Sequence, residues 1–219
     1  VAELPGYAPV YGSLSVVTSG TATRDFSLSA VTFFDNAETN LGWTLGVAGD
    51  NATTGQWIRA NPIGTLAGTA QPEDDHSPAP TDVVCFVTGN GPVGGGVGAA
   101  DVDNGKTTLV SPALNMSVTA DPILVWWQWF YNQNAAGNDT LLVDLSNDNG
   151  TTWKRAEALN VSHGFWERLQ VRVLDYVTPS STVRMRVVAA DLSPGGIVEA
   201  AIDDIEFYPS ALVVGVPDP

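Results

Sequence analysis

The sequence predicts an all-β fold, an antiparallel jelly-roll β-sandwich. Short β-branched and aromatic runs alternate with turn residues along nearly the whole chain. Helical periodicity is almost absent, and no repeat of fixed period appears. Many strands without intervening helices point to a sandwich or jelly roll rather than an α/β fold. The 219 residues suffice for one good core, or for a core plus a fragment of a second.

The strands are expected at Leu14–Thr18, Asp25–Thr32, Thr44–Val47, Gln56–Arg59, Asp82–Thr88, Thr107–Val110, Ile123–Tyr131, Thr140–Ser146, Thr152–Glu157, Trp166–Val173, Val183–Ala189 and Glu199–Tyr208. Each is a short apolar or alternating run bounded by turn residues. The last eleven residues are small and Pro-containing, and read as a tail.

Composition narrows the function. There are 24 acidic and 9 basic residues, a net charge of -15. That excess argues against a nucleic-acid partner, which needs Lys and Arg, and against an anionic membrane surface. No apolar run approaches ~18 residues, so no membrane insertion is expected. The single cysteine, Cys85 in VVCFV, has no internal disulfide partner and reads as a small buried hydrophobe. Scarce lysine with abundant Gly, Thr, Asn and Asp fits a secreted, extracellular β protein. No signal-peptide pattern opens the chain, and Val1 in place of Met suggests that a precursor or longer protein was cut.

Carboxylates crowd one stretch. Six lie between Gln71 and Pro112, with Lys106 the only base among them. Glu73, Asp74 and Asp75 form one cluster; Asp101 and Asp103 form another. Gly and Pro flank both, which places them on loops. Oxygen-only ligands on loops suit a hard cation, calcium before magnesium.

Two stretches could recognise a ligand. Val125–Tyr131 reads VWWQWFY. Alternation puts Trp127, Trp129 and Tyr131 on one face, and Trp126, Gln128 and Phe130 on the other. One set enters the core. The other either forms a platform for sugar rings, the candidates being Trp126 on one face and Trp129 and Tyr131 on the opposite one, or is covered in its turn. Arg168 and Arg172 alternate with apolar residues on one strand, Arg184 and Arg186 on another. Side by side, those strands would make a basic stripe for a carboxylate or sulfate. The alternative is salt bridging to Asp144, Glu157 or Glu167.

Other motifs are structural or silent. Ser146–Trp153 reads SNDNGTTW, an Asp-box hairpin in which Asp148 accepts turn amides, Gly150 takes positive φ and Trp153 packs beneath. A propeller sialidase would need several copies. His76 and His163 lie in no zinc-ligand spacing. No G-x-S-x-G elbow occurs, and nothing singles out one acid pair for glycoside hydrolysis. The four N-x-S/T sequons, at Asn51, Asn115, Asn138 and Asn160, read as chance in a Ser- and Thr-rich chain.

From Asp35 onward the ordered set DNAETNLGWTLG, TTGQWIRANPIGT, AQPEDDHSPAP, CFVTGN, DVDNGKTTLVSPALNMS, VWWQWFYN, SNDNGTTW, DYVTPSSTVRMRVVAAD and VEAAIDDIEF resembles MAM-like jelly-roll domains of the cleaved-adhesin type. Ala37 departs from that family, which often has an aromatic there. The first thirty residues resemble the last strands of a carboxypeptidase-regulatory-like β-sandwich. The resemblance implies residues 1–33 as the end of such a domain or an N-terminal extension, 34–209 as the jelly roll and 210–219 as a linker. It also implies a calcium between the first and last strands, held by Glu38 with Asp203 or Asp204. The alternative for those two aspartates is accepting hydrogen bonds from a loop. The expectation is a non-catalytic accessory domain of a secreted bacterial enzyme, such as a zinc carboxypeptidase, binding glycan, cell surface or neighbouring domains. A structural spacer and a jelly-roll glycosidase or lyase are the alternatives.

Overall fold

The computed structural model describes residues 2–12, 20, 21, 23, 25–77, 82–133, 138–192 and 194–210. The strand expected at Leu14–Thr18 lies outside them, as do residues 211–219 of the tail.

The strands are β1 (Ala2–Leu4), β2 (Tyr7–Val10), β3 (Ser29–Ala30), β4 (Phe33–Asp35), β5 (Thr44–Leu45), β6 (Trp57–Ala60), β7 (Cys85–Thr88), β8 (Gly105–Val110), β9 (Pro122–Asn132), β10 (Thr140–Ser146), β11 (Lys154–Leu159), β12 (His163–Arg172), β13 (Arg184–Asp191) and β14 (Val198–Pro209). The front sheet has five strands in the order β11-β10-β13-β8-β5; the back sheet has six, β12-β9-β14-β7-β6 with β4 beside β14. A small sheet, β1-β2-β3, stands apart. Every pairing is antiparallel. The two large sheets form the jelly-roll sandwich that the sequence predicts.

Period-2 alternation explains the core. Leu124, Trp126 and Phe130 of β9, and Val198, Ala200 and Ile202 of β14, turn inward from the back sheet. Leu141, Val143 and Leu145 of β10, with Met185 and Val187 of β13, meet them from the front. Trp57, Phe86 and Leu109 complete the layer. Burial of these side chains, at ~25 cal/mol per Å² of apolar surface, is the main drive for this packing.

The N-terminal sheet packs outside the back sheet. Val31 N–H bonds to Gly6 O at 3.0 Å, and Thr32 N–H to Phe207 O at 2.9 Å, so the chain crosses from one sheet to the other between these residues. Ala8 is buried with Val125 and Tyr208. The long strand expected at Asp25–Thr32 is therefore only Ser29–Ala30, and Phe33–Asp35 is an unanticipated strand set by its pairing with Ile205–Phe207.

Candidate functional site

The expected arginine stripe does not form. β12 carries Arg168 and Arg172 in the back sheet, and β13 carries Arg184 and Arg186 in the front sheet. The two pairs therefore belong to different faces of the sandwich. Arg168 donates to Gln170 Oε1 (2.9 Å) and Tyr208 Oη (3.3 Å). Arg172 pairs with Asp121 (2.8 Å) and Asp175 (3.2 Å). Arg168 thus has neutral partners and Arg172 pairs with acids other than the expected ones; the salt-bridged alternative is met at Arg186, which pairs with Asp144.

The aromatic platform is also corrected. Trp126 is fully buried, its Nε1–H donating to Gln128 Oε1 at 2.9 Å. Trp129 faces outward from β9 but lies under the segment around Ala70, to whose carbonyl its Nε1–H donates at 2.8 Å. Cys85, Val87 and Ala201 close around it, so Cys85 takes the expected buried role. Tyr131 is half-buried on the same face. The outer face of β9 is thus covered at Trp129, whereas half-buried Trp127 lines, with Arg168, His76 and Tyr7, a pocket of about 210 Å³ beside the N-terminal sheet.

A larger open groove lies on the front sheet. Thr44, Val47, Val110, Asn149, Gly150, Trp153, Arg184 and Arg186 line a groove of about 370 Å³. The Arg186 guanidinium stands 4.5 Å from the Trp153 ring centroid. Register puts Asp144 opposite Arg186, and Asp144 accepts from Arg186 Nε at 2.8 Å and from Arg155 Nε. Arg184 Nε donates to Asn149 Oδ1 at 2.7 Å. Two of the nine bases thus share one buried carboxylate, and a third, Arg184, lines the groove beside Arg186. The Asp-box hairpin places Trp153. Asp148 Oδ1 accepts the amides of Thr151 (3.1 Å) and Thr152 (2.9 Å). Gly150 has φ +90°, and a Cβ there would lie 3.2 Å from Trp153 Cζ2. Trp153 was expected only as packing for the turn. Its place beside arginines comes from the pairing of β10 with β13, which local motif reading does not show.

The expected calcium residues divide. β14 bulges between Asp203 and Glu206, where β7 stops pairing and β4 begins. Asp204 there has φ +44°, an uncommon conformation for a non-glycine residue. Asp203 is fully buried, and Asp75 is 7% exposed. Asp203 Oδ2 accepts from His76 N at 3.0 Å, while Asp204 takes Ser77 Oγ–H (3.0 Å) and His76 Nδ1 (2.7 Å). These loop contacts match the hydrogen-bonding alternative for the two aspartates. His76 itself stacks on Trp127, centroids 3.6 Å apart. Glu38 Oε1 accepts the amides of Val83 (2.5 Å) and Val84 (2.6 Å). Burial pushes Asp75 up to about 6, helped by the charges of Glu38, Asp204, Asp82 and Asp74. Burial, followed by the charge of Asp204, raises Asp203 strongly. Asp75 Oδ2 is buried with no hydrogen-bond partner.

Glu73 and Asp74 stay exposed, so only Asp75 of that cluster turns inward. Sinking all three would strip three charges of water in one place. Asp101 and Asp103 also separate. Asp103 Oδ2 accepts from Thr54 Oγ1 at 3.1 Å near the surface, whereas Asp101 is 2% exposed. Burial and then the neighbouring Asp103 push Asp101 up to about 6. Burial pushes Glu199 up to about 9, with Asp101 adding to the shift. Among the described residues no three His, Cys, Asp or Glu side chains converge closely enough to hold a metal ion as they stand. The unpartnered Asp75 oxygen, facing further carboxylates, is the feature that fits a hard cation.

No family model matches the chain, and no curated protein matches it. Solved β-sandwich structures do. The K1 cleaved adhesin domain of Lys-gingipain from Porphyromonas gingivalis W83 is 16% identical, with 81% of this chain and 98% of that chain covered and a TM-score of 0.46. TmCBM61 in complex with β-1,4-galactotriose is 10% identical over 80% of this chain and 99% of its own, with a TM-score of 0.45. The C-terminal family 22 carbohydrate-binding module of Clostridium thermocellum Xyn10B is 11% identical over 84% and 97%, again with a TM-score of 0.45. These likenesses concern chain shape alone.

Proposed function

We propose that the chain is a non-catalytic binding module that holds an anionic glycan in the front-sheet groove. One observation carries the reading: a guanidinium laid over an indole, beside two further arginines, in a chain of net charge -15. Asp144 engages Arg186 Nε and so fixes the plane of the guanidinium. The terminal nitrogens remain as donors for a carboxylate or sulfate, in bidentate geometry. Thr44, Val47 and Val110 offer the apolar floor that a sugar ring needs beside its charged group. The setting proposed is a secreted bacterial protein in which residues 34–209 are the accessory module of a larger extracellular enzyme, such as a zinc carboxypeptidase.

Calcium belongs to this proposal as a structural ion. Asp75, Asp203 and Glu38 would hold it at the bulge of β14, where it would neutralise carboxylates that are otherwise buried together. A cation bound only by the folded chain stabilises it by ~2.7 kcal/mol at a hundredfold excess over its dissociation constant. The melting temperature is expected to rise with millimolar calcium and fall with EDTA. An unchanged value in both would remove the ion from the proposal.

Calorimetric titration with oligogalacturonate, a sulfated oligosaccharide and a neutral xylo-oligosaccharide tests the binding role. The anionic sugars are expected to bind, more weakly as salt rises, and Trp153→Ala and Arg186→Ala are expected to abolish it. If none binds at millimolar concentration, the module is a structural spacer. Binding that survives both substitutions would place the ligand elsewhere.

A further inference from the structure

A second group of carboxylates meets at the rim of the front sheet, and sequence clustering does not show it. Asp139 immediately precedes β10, and Asp191 is the last residue of β13. The ladder aligns Thr140 with Ala190, so the two aspartates are neighbours across the strand ends. Asp139 is 0% exposed and Asp191 2%. Burial, with the charge of Asp191 behind it, raises Asp139 above the usual carboxylate range.

The surrounding backbone is arranged for charge. Leu192 N–H donates to Asp139 Oδ1 at 2.7 Å. Asn104 N–H donates to Asp191 Oδ2 at 3.0 Å, and Gly196 N–H to Asp191 Oδ1 at 2.9 Å. Amide donors on a carboxylate favour its ionised form. Three of the four oxygens thus accept an amide, while Asp139 Oδ2 is buried with no partner. Two buried neighbouring carboxylates and one orphaned oxygen leave a cost that a proton or a cation removes. The amides favour the cation, because a carboxylic acid gains less from them. Access exists as well: Asn51, Asn104, Gly105, Asp191, Leu192 and Gly195 line an open pocket of about 270 Å³ against Asp191. That space admits the waters that complete an oxygen shell.

We propose that Asp139 and Asp191 are the carboxylate ligands of a hard divalent cation, of the calcium class, at the junction of the loops that follow Asp101 and Asp191. Oxygen-only donors and an open side suit calcium better than magnesium, which demands near-ideal octahedral geometry. The site is separate from the one at the β14 bulge and stands without it.

Counting bound calcium tests this, by calorimetry and by native mass spectrometry on the full chain. Asp139→Asn keeps the acceptor for Leu192 N–H and can donate to Asp191, so it mimics a shared proton and is expected to fold. Both Asp139→Asn and Asp191→Asn are expected to bind one calcium fewer than wild type. Asp203→Asn reads the other site independently. If Asp203→Asn removes the only calcium while Asp139→Asn and Asp191→Asn keep it, the bulge site stands and this one falls. If Asp139→Asn and Asp191→Asn bind as many ions as wild type and Asp139→Asn melts higher in EDTA, the pair shares a proton instead.

Discussion

The two outer faces of the sandwich are written in the same sequence code and end differently. Both carry alternating polar and aromatic residues. On the back sheet, Trp129, Glu199 and Asp203 point outward and are roofed by loops, which leaves Glu199 2% exposed and Asp203 fully buried. On the front sheet, Trp153, Arg184 and Arg186 line an open groove. Charge follows the same divide. Asp144 on the front is balanced by Arg155 and Arg186. None of the lysine or arginine ion pairs among the described residues reaches Asp75, Glu199 or Asp203 on the back. A covered face must settle its carboxylates with protons or cations, whereas an open face can keep arginines for a ligand.

Exchanging one tryptophan from each face gives the largest contrast. Trp129→Ala empties a covered site and is expected to cost about 3–5 kcal/mol, with ligand affinity unchanged in the folded fraction. Trp153→Ala is expected to stay within about 1 kcal/mol of wild type and to lose the ligand. Urea unfolding beside calorimetric titration measures both. Should Trp153→Ala prove the more destabilising, the groove would be a packed surface rather than a binding one.

The carboxylates sharpen the contrast through pH. Glu199 is pushed up to about 9 in the folded chain from an ordinary value of 4.5. Its contribution is fully present below the unfolded value and is lost as pH rises through the folded one. Metal-free protein is therefore expected to lose up to about 1.4 kcal/mol per pH unit between those values from this group. Glu199→Gln, which can still accept from Thr88 Oγ1, is expected to remove that slope and to melt higher above neutrality. Equal slopes in wild type and variant would show Glu199 to be ionised in the fold.

Much of the architecture was legible, because alternation is local. β10 matches its expected strand, Thr140–Ser146, residue for residue, and β9 extends Ile123–Tyr131 by one residue at each end. The covers were not legible. Which face of β9 stays wet depends on a segment some 59 positions away, the Trp129–Ala70 separation, and on the docked N-terminal sheet. The acid sites show the same limit. Crowding along the chain pointed to Glu73 and Asp74, which remain exposed. It missed Asp139 and Asp191, which meet only because β10 pairs with β13 rather than with β11 alone. The arginines misled for the matching reason: alternation shows that β12 and β13 each have a polar face, not that they belong to different sheets.

A conservative change in the groove separates charge from geometry. Arg186→Lys keeps the positive charge but loses the planar fork and the stack on Trp153. Anionic-glycan affinity is expected to fall about tenfold, ~1.4 kcal/mol, with the melting temperature nearly unchanged. A lysine variant that binds like wild type would reduce the site to a point charge and remove the argument from the stacked guanidinium.

The smallest expected effect comes from the turn that places Trp153. Asp148 accepts Thr152 Oγ1–H at 2.7 Å, the amides of Thr151 and Thr152, and Ser146 Oγ–H at 2.7 Å. These bonds, with Thr152 first, pull its carboxyl down to about 2. The folded value lies below the unfolded one, so its contribution is present above about pH 4 and is lost as pH falls through about 2. Asp148→Ala is therefore expected to melt slightly below wild type at pH 7, with the difference closing toward pH 2. The turn lies at the solvent-exposed tip of the β10–β11 hairpin, which keeps the effect modest. Affinity for the glycan is expected to weaken less than in Trp153→Ala, because β11 begins directly after Trp153 and still directs it toward Arg186. Paired melting curves across acid pH decide it. A gap between wild type and variant that persists at pH 2 would mean that Asp148 acts through packing rather than through its charge.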